Sequence, residues 1–160
     1  MTRLRVATWN IFGGRAWDGS RVDLDLTLAV LRRLDADVVA VQEVDREQAR
    51  SGTHLSLMPG PNLRQLRALQ RHLDERGRPR LLLGDLNLWW PLVRVASRPG
   101  WRPLVRGGTF RNRPPGSPGR LVQLDHVLAA GAATLRPRDT RIVSGPASDH
   151  RALLVELDWP

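Results

Sequence analysis

Apolar residues follow two periodicities in the first quarter of the chain, and together they predict a strand, a helix and a second strand. Residues 3–9 alternate as in a strand, and Val38–Val41 is a continuous apolar run typical of a strand buried on both faces. The helix between them begins at Asp23, a suitable N-cap residue. Its predicted apolar stripe consists of Leu24, Leu28, Leu31 and Leu34. This order predicts a βαβ unit.

A second unit of the same kind follows in the middle of the chain. Residues 53–57 predict a strand, and residues 80–83 predict a buried strand. Between them we expect a helix that Asn62 caps and Gly77 closes. Its apolar stripe is Leu63, Leu66, Leu69 and Leu73. Two successive βαβ patterns indicate an α/β protein.

The last part of the chain predicts short elements and loops. Residues 89–91 begin a short helix with a proline in its first turn, and Gly100 ends it. Residues 111–120 predict a loop, because they are dense in arginine, proline and glycine. Strands are predicted at 121–128, around 141–143 and at 151–157. No repeat or linker divides the chain, so we expect one domain over residues 1–160.

Composition excludes several classes of protein. With 41% hydrophobic residues the chain is too apolar to be disordered. Its longest apolar run, 127–135, is much shorter than the roughly 20 residues of a membrane-spanning helix. The absence of cysteine excludes disulfides, thiolate metal sites and cysteine nucleophiles. The first residues lead directly into a strand pattern without an apolar signal segment, so we expect a cytoplasmic protein.

The charge permits a phosphate-bearing partner without requiring one. The formal net charge is +9, and all 25 basic residues are arginine. Arginine suits phosphate because its planar guanidinium forms bidentate hydrogen bonds. Arginine without lysine, together with abundant alanine, leucine, glycine and proline, is equally typical of a coding bias. Both interpretations remain open at this point.

Polar residues collect where the predicted strands end or begin. Because ligands of α/β sheets bind at the carboxyl ends of strands, we expect these residues to converge. They are Asn10, Glu43, His54, Asp85, Asn87, Asp125, Asp149 and His150.

Three of these residues suit a hard metal ion. Asn10, Glu43 and Asp149 offer oxygen ligands and no soft ligand. Mg²⁺ prefers a few carboxylates, an amide or water, and the phosphate oxygens of a substrate. The chemistry therefore predicts Mg²⁺, with Mn²⁺ as a substitute.

The remaining residues suit proton transfer at a phosphate. Asp85 could accept a proton from an attacking water, and His150 or His54 could stabilise the developing charge on a phosphoryl oxygen. Asp125 could orient one of the histidines, as a carboxylate does in a catalytic triad.

Each residue also has a structural interpretation. Asn10 and Asn87 could be ordinary turn residues, because asparagine tolerates the left-handed conformation that many turns require. Glu43 could be a solvated carboxylate at a strand end, and Asp149 could cap a turn.

For other polar and aromatic residues the structural interpretation is the one we favour. His72, between two leucines of the second helix, is assigned to structure, and His126 could be a surface or core histidine. Trp89 and Trp90 are predicted to pack in the core or at an interface rather than to stack on bases. The arginine-rich loop at 111–120 is equally compatible with a solvated turn and with substrate contact.

Six short motifs occur in a recognisable order. They are Thr8-Trp9-Asn10, Gln42-Glu43, Thr53-His54-Leu55, Gly84-Asp85-Leu86-Asn87, Leu124-Asp125-His126 and Ser148-Asp149-His150. The set resembles the endonuclease/exonuclease/phosphatase superfamily, which includes DNase I-like nucleases, abasic-site endonucleases, neutral sphingomyelinases and inositol-polyphosphate phosphatases. The resemblance extends over nearly the whole chain.

The resemblance implies a four-layer α/β sandwich, with two mixed sheets face to face and helices outside. It also implies Mg²⁺-dependent hydrolysis of a phosphoester by in-line attack of water. By the same resemblance Glu43 binds the metal, with Asn10 and Asp149 beside it.

The family motifs also assign roles to the other polar residues. Asp85 activates or orients the attacking water, and Asn87 holds the phosphate. His150 stabilises the transition state or acts as an acid, and Asp125 holds it. His54 provides a second phosphate contact or acid.

The chain departs from the family pattern between Glu43 and Thr53. The family has several strands and a helix there, whereas residues 44–52 span roughly 30 Å at most. We therefore expect the first sheet to lack strands and to expose an edge that could support a dimer. The segment usually supplies phosphate contacts, including a tyrosine, and this chain contains no tyrosine.

Two functions follow as alternatives. The first is a phosphodiesterase or nuclease, with DNA or RNA among the substrates that the positive charge permits. The second is a weakened or inactive family member that acts as a nucleic-acid-binding or interaction module. A lipid substrate lacks support because no apolar segment suits membrane insertion.

Overall fold

The strands and helices are those of a computed structural model that describes residues 2–15, 22–44, 53–55, 58, 60–76, 79–111, 121–131 and 135–160. The helices are α1 (Leu24–Leu34), α2 (Pro61–Asp74) and α3 (Trp90–Ala96). The first five strands are β1 (Thr2–Asn10), β2 (Val38–Gln42), β3 (Thr53–His54), β4 (Arg80–Asp85) and β5 (Arg102–Pro103). The others are β6 (Phe110–Arg111), β7 (Leu121–Val122), β8 (Asp125–Ala130), β9 (Pro137–Val143) and β10 (Ala152–Trp159).

The described strands form two mixed sheets of four strands and a small hairpin. The first sheet has the order β2-β1-β10-β9, in which only β1 and β2 are parallel. The second sheet has the order β3-β4-β8-β5, in which only β3 and β4 are parallel. Each parallel pair is joined through a helix, which confirms both predicted βαβ units. Strands β6 and β7 form the hairpin.

Alternation of side chains along the central strands produces three apolar layers. Leu153 and Val155 of β10 pack between the sheets with Val127 of β8. The neighbouring Leu154 faces the other way and packs with residues of α1. Leu128 of β8 faces away from the first sheet, into the core that also contains residues of α2 and α3. The layers are therefore helix, sheet, sheet and helix, which confirms the predicted four-layer α/β sandwich.

The predicted apolar stripes of α1 and α2 have different outcomes. The stripe of α2 is confirmed, because Leu66 is fully buried and Leu63, Leu69 and Leu73 pack against the same core. The stripe of α1 is wrong in its first half, because Leu24 and Leu28 are 45% and 44% exposed. The buried residues of α1 are Thr27, Val30 and Leu34. Asp23 caps α1 as predicted, since its carboxylate accepts a hydrogen bond from Leu26 N at 3.1 Å.

Strand β2 lies at the edge of its sheet, which corrects the prediction of a strand buried on both faces. Val38 is 49% exposed, and Val39–Val41 are only partly buried. Within the described residues, no strand pairs with the outer side of β2. Residues 45–52, which follow β2 and Glu43, lie outside the description.

Several predicted boundaries are also corrected. The strand predicted at 121–128 is two strands in different sheets, β7 and β8, because the chain turns at Gln123 and Leu124. Helix α3 ends at Ala96 rather than at Gly100. Strand β3 comprises only residues 53 and 54, and residues 56–57, Gly77 and 112–120 lie outside the described residues. No helix in the described part of the chain has the length and apolar character that a membrane crossing requires.

Candidate active site

The site lies where β1, β2, β4 and β8 reach the same end of the two sheets. Asn10 is the last residue of β1 and lies opposite Gln42, the last residue of β2. In the second sheet, Asp85 ends β4 and lies opposite Asp125, the first residue of β8. The side chain of Asp85 lies on the same face of β4 as those of Leu81 and Leu83, which pack between the sheets. The topology therefore directs polar side chains from both sheets toward one another.

Asn10 connects the two sheets through its side-chain amide. Its Nδ2 donates to Glu43 Oε1 at 2.9 Å and to Asp85 Oδ2 at 3.1 Å. Its Oδ1 accepts a hydrogen bond from Phe12 N at 3.0 Å, which fixes the orientation of the amide. Asn10 is 1% exposed and its bond to Asp85 is buried, whereas Glu43 is exposed and its bond to Asn10 is partly buried. It therefore holds two carboxylates from different sheets together.

Glu43 takes its position from unusual backbone geometry at the end of β2. Its φ is 54°, in the left-handed region that non-glycine residues rarely adopt. The neighbouring Gln42 is fully buried, and its Nε2 donates to Thr8 Oγ1 at 3.1 Å and to Ala40 O at 2.8 Å. The Glu43 carbonyl accepts from Gly13 N at 2.9 Å. The Gln42 side chain and the Glu43 carbonyl therefore fix the backbone before and after the point from which the Glu43 side chain projects.

Asn87 lies in a second strained turn, directly after β4. Its φ is 48°, and its backbone N–H donates to Asp85 Oδ1 at 3.0 Å. Its side-chain Nδ2 donates to Leu55 O at 2.8 Å, and its carbonyl accepts from Asn62 Nδ2 at 3.0 Å. The turn therefore occupies one oxygen of Asp85 and leaves the other toward Asn10.

Asn62 is a site-positioning residue that the sequence interpretation assigned wrongly. It lies inside the first turn of α2, whose N-cap is Gly60, and α2 has no side-chain cap. It is 2% exposed, and it reaches the Asn87 carbonyl instead of its own helix end. An asparagine next to a helix start has the same signature in the sequence in either role.

His150 is fixed between two aspartates. Its Nδ1 lies 2.7 Å from Asp125 Oδ2, and its Nε2 lies 3.8 Å from Asp85 Oδ2. Its backbone N–H donates to Ser148 Oγ at 3.0 Å, while Ser148 Oγ donates to Asn10 O at 2.7 Å. The His150 carbonyl accepts from Trp9 Nε1 at 3.2 Å. Both its ring and its backbone are therefore held against β1 and β8.

These contacts determine the protonation of the site. Burial alone lowers the pKa of His150, but the hydrogen bond and charge of Asp125 outweigh it, with Asp85 and Asp149 contributing, and raise that pKa to about 9. Burial raises the pKa of Asp85 above its usual range. The Asp125 charge adds to that rise, whereas the His150 charge and the Asn10 hydrogen bond oppose it. A protonated imidazole thus faces a carboxylate suited to accept a proton.

Asp149 lies next to this arrangement and is partly buried. Burial raises its pKa, and the Glu43 carboxylate adds to the rise while the His150 charge opposes it. Among the described residues, no hydrogen-bond donor reaches the buried Oδ1 of Asp149. A carboxylate oxygen withdrawn from water without a donor is suited to a cation.

A second acidic cluster could be considered for metal binding. Asp85, Asp125 and His150 each offer a ligand atom, and these atoms lie within 4.8 Å of one another. The contact between Asp125 and His150 is a 2.7 Å hydrogen bond, so a proton occupies the space between them. The cluster is therefore better suited to hold a proton than a metal ion.

His126 of β8 and Thr109 complete the support of the site. His126 is fully buried, and its Nε2 lies 2.8 Å from Leu88 O, one residue beyond Asn87. Burial lowers the pKa of His126 to about 4, so the ring is neutral at pH 7. Thr109 Oγ1 accepts from Asp125 N at 3.1 Å. The sequence interpretation left His126 between core and surface, and the structure places it in the core.

A small cavity opens beside His150. It has a volume of about 130 Å³ and is lined by Arg111, Ser144, Gly145, Pro146, Ser148, Asp149, His150 and Arg151. Arg111 is the only residue of the predicted arginine loop that the structure describes, and it lies at this cavity. The side chain of His54 lies outside the described part of the structure.

Comparison with known proteins now identifies the family. The model of the endonuclease/exonuclease/phosphatase family matches residues 7–150, which include every residue of the site. The chain belongs to the endonuclease/exonuclease/phosphatase family. This confirms the resemblance inferred from the six motifs. No curated protein sequence shows significant similarity to this endonuclease/exonuclease/phosphatase family member.

Solved structures share the fold of this family member. D. rerio TDP2 complexed with single-strand DNA product has a TM-score of 0.75 and 12% identity, and the alignment covers 99% of this chain and 100% of that one. An endonuclease/exonuclease/phosphatase from Beutenbergia cavernae has a TM-score of 0.73 and 20% identity, with coverage of 97% and 71%. Truncated Caenorhabditis elegans TDP2 has a TM-score of 0.71 and 14% identity, with 98% coverage of both chains. At these identities the similarity establishes the fold.

Proposed function

We propose that this chain is a divalent-metal-dependent phosphodiesterase that hydrolyses a nucleic-acid backbone. The observation that carries the proposal is the Asn10 amide, which holds Glu43 and Asp85 together beside the Asp125–His150 pair. Hydrolysis of a phosphodiester needs oxygen ligands, a proton acceptor and a positive group near the phosphate. The positive charge of the chain and the DNA product bound to D. rerio TDP2 favour nucleic acid as substrate.

The residues present fit a hard divalent cation. Glu43 and Asp149 would hold it, with Asn10 beside them, and Mg²⁺ is the ion we propose, with Mn²⁺ as a substitute. The fit rests on the Asp149 Oδ1, which lacks a donor among the described residues, and on the charge of Glu43, which acts on the Asp149 carboxyl. When bound, such an ion polarises the phosphoryl oxygen and offsets its charge.

The protein side chains supply the proton transfers. Asp85 accepts a proton from the attacking water, whose oxygen forms the new bond to phosphorus in line with the leaving group. His150 donates its Nε2 proton to the leaving oxygen as the old phosphorus–oxygen bond breaks. Asp125 keeps the imidazolium charged and oriented through Nδ1. The products are one phosphomonoester and one alcohol. Asp85 then releases its proton to solvent and His150 takes up a proton from solvent, which restores both groups for the next turnover.

Asn87 is proposed to bind the phosphate. One hydrogen of its Nδ2 is directed at Leu55 O, which leaves the second for a phosphoryl oxygen. The hydrogen bonds from Asn62 and to Leu55 hold the amide in place before substrate arrives. We also propose that His54 contributes a second phosphate contact, as the family motif implies.

The test is hydrolysis of bis(p-nitrophenyl) phosphate and of a labelled oligonucleotide during a Mg²⁺ titration. We expect activity that saturates with Mg²⁺ and that falls at least about 10²-fold in His150→Ala and in Glu43→Gln. His72→Ala is the matched control, because His72 is an exposed histidine on α2. A folded protein that hydrolyses neither substrate at any Mg²⁺ or Mn²⁺ concentration would refute the proposal and favour a non-catalytic binding module.

A further inference from the structure

Trp89 is exposed immediately after the turn that carries Asn87. Trp89 is 62% exposed, so it does not pack in the core. The two flanking positions behave differently, since Leu88 is 3% exposed and Trp90 is partly buried. A large indole costs free energy when it is left in water, and such exposure in a globular domain commonly marks an interaction site.

Two arginines lie over the ring of Trp90, the residue that follows Trp89. The guanidinium of Arg106 lies 4.6 Å from the ring centre of Trp90, and that of Arg94 lies 5.9 Å from it. Both arginines are exposed, and among the described residues neither has a carboxylate partner. Stacking on Trp90 fixes the guanidinium groups while it leaves their edges able to donate hydrogen bonds.

The backbone that presents Trp89 is held firmly to the active site. Asn87 is bound on one side by Asn62 and Leu55, and Leu88 O is bound by the buried His126. Only Leu88 separates Asn87 from Trp89 along the chain, so the Cα atoms of Asn87 and Trp89 lie within about 7 Å of each other. A substrate phosphate at Asn87 would therefore have its neighbouring nucleotide close to Trp89.

We propose that this surface, formed by Trp89, Trp90, Arg94 and Arg106, binds the single-stranded part of a nucleic-acid substrate. This inference rests on the proposed function and extends it to a substrate class. One unpaired base stacks on the Trp89 indole, and the two guanidinium groups contact phosphates next to the scissile one. Single strands suit the surface because their bases expose a free face, whereas the bases of a duplex are already stacked on one another.

The charge of the surface favours nucleic acid over a protein or a second copy of the chain. Leu92 and Val95 of α3 extend the apolar area and are 51% and 82% exposed. A second copy would bring its own Arg94 and Arg106 to the interface, in a molecule whose net charge is already +9. A polyanion with aromatic bases satisfies both the indole and the arginines.

The experiment measures binding of a fluorescein-labelled oligothymidylate by anisotropy in EDTA, so that binding is recorded without turnover. We expect Trp89→Ala to weaken binding about 5- to 150-fold, the usual effect of removing one stacking platform. Trp89→Phe should restore most of it. Arg106→Ala should lower the slope of log affinity against log salt by about 0.7, the value for one contact with a single strand. Leu28→Ala and Arg32→Ala are the matched controls, because both residues are exposed on α1, in the opposite outer layer.

The outcomes separate this inference from the proposed function. Equal affinities of wild type and Trp89→Ala would overturn the inference, even if the protein hydrolyses phosphodiesters. Tighter binding of a duplex than of the same single strand would also overturn it. A dimer in light scattering that Trp89→Ala dissociates, with unchanged affinity for the oligonucleotide, would assign the surface to self-association instead. Absence of hydrolysis by the wild type together with Trp89-dependent binding would refute the proposed function and support the inference.

Discussion

Replacement of Asp125 by asparagine tests how the site keeps His150 protonated. Asparagine has nearly the shape of aspartate, and its Oδ1 can still accept the Nδ1–H of His150, so the ring keeps its position. What the change removes is the negative charge 2.7 Å from the imidazole. The charge of a buried neighbour is the main influence that opposes desolvation of a cation.

The structure indicates how large the effect should be. His150 is 7% exposed, so water screens the pair weakly. Its pKa of about 9 lies above the ordinary 6.5, and a shift of this size corresponds to about 3 kcal/mol. Burial continues to act on the ring in Asp125→Asn and lowers its pKa, with Asp85 and Asp149 as the remaining opposing charges. We therefore expect the His150 pKa of the variant to fall to about 6.5 or lower.

The assay is an NMR titration of the histidine side chains in metal-free protein, followed by urea unfolding at several pH values. Because the folded-state pKa is raised, His150 stabilises the wild type fully below pH 6.5 and loses this contribution as pH rises toward 9. Asp125→Asn should abolish that decline and lower the free energy of unfolding at pH 6 by about 3 kcal/mol. Asp25→Asn, at an exposed position of α1, is the matched control.

An unchanged His150 titration in a folded Asp125→Asn protein would refute the reasoning. It would mean that Asp85 and Asp149, rather than Asp125, hold the proton. A shifted pKa with unchanged activity above pH 7 would contradict the proposed role of the imidazolium as the acid.

Three further predictions concern the support of the site. The pKa of His126 in the folded protein is about 4, so this residue stabilises the protein above pH 6.5 and loses the contribution as pH falls toward 4. A change from pH 7 to pH 4 should therefore lower the free energy of unfolding of the wild type by about 3 kcal/mol more than that of His126→Gln, as measured by urea unfolding. Asn62→Ala should destabilise the protein by about 1–3 kcal/mol, because the Asn87 carbonyl loses its donor, and should lower kcat more than a surface change such as Gln65→Ala. Asn10→Ala should lower the affinity for Mg²⁺, measured by calorimetry, because Glu43 and Asp85 lose their shared hydrogen-bond donor. Equal Mg²⁺ affinity in the variant and the wild type would contradict this role of Asn10.

Motifs in the sequence predicted which polar residues lie close together better than hydrophobic patterns predicted burial. The motifs place Asn10, Glu43, Asp85 and Asp125 at strand ends, and the parallel pairing within each βαβ unit brings such ends to one edge. The antiparallel pairing of β4 with β8 adds the start of β8 to the same edge. Strand pairing uses backbone hydrogen bonds, so the order of elements was sufficient to predict that these strand ends converge.

The prediction of burial failed where burial depends on which element packs against a strand or helix. Val38–Val41 has the composition of a central strand, yet β2 is an edge strand because the described chain supplies no strand beyond it. Leu24 and Leu28 occupy helical positions equivalent to buried ones, but the sheet contacts the Val30 and Leu34 side of α1. Periodicity locates an apolar stripe only to within about one residue position, or 100° around a helix.

Asn62 and Trp89 show a second reason for failure. Both residues are defined by contacts or exposure beyond their own element, since Asn62 bonds to a turn 25 residues away and Trp89 is exposed beyond a buried Leu88. Local rules therefore assigned Asn62 to its helix and did not predict the exposure of Trp89.

The pairing of the first strand with the last has a consequence for how the molecule is made. Thr2 of β1 lies opposite Trp159 of β10, and Ser148 bonds to Asn10 across 138 residues of sequence. A ribosome releases Asn10 and Glu43 long before β10 exists, so β1 stays unpaired on the side that β10 later occupies until β10 has been made. Folding of this sheet is therefore expected to wait for β10 and to be slow, because its central contacts close the longest loops between the described strands.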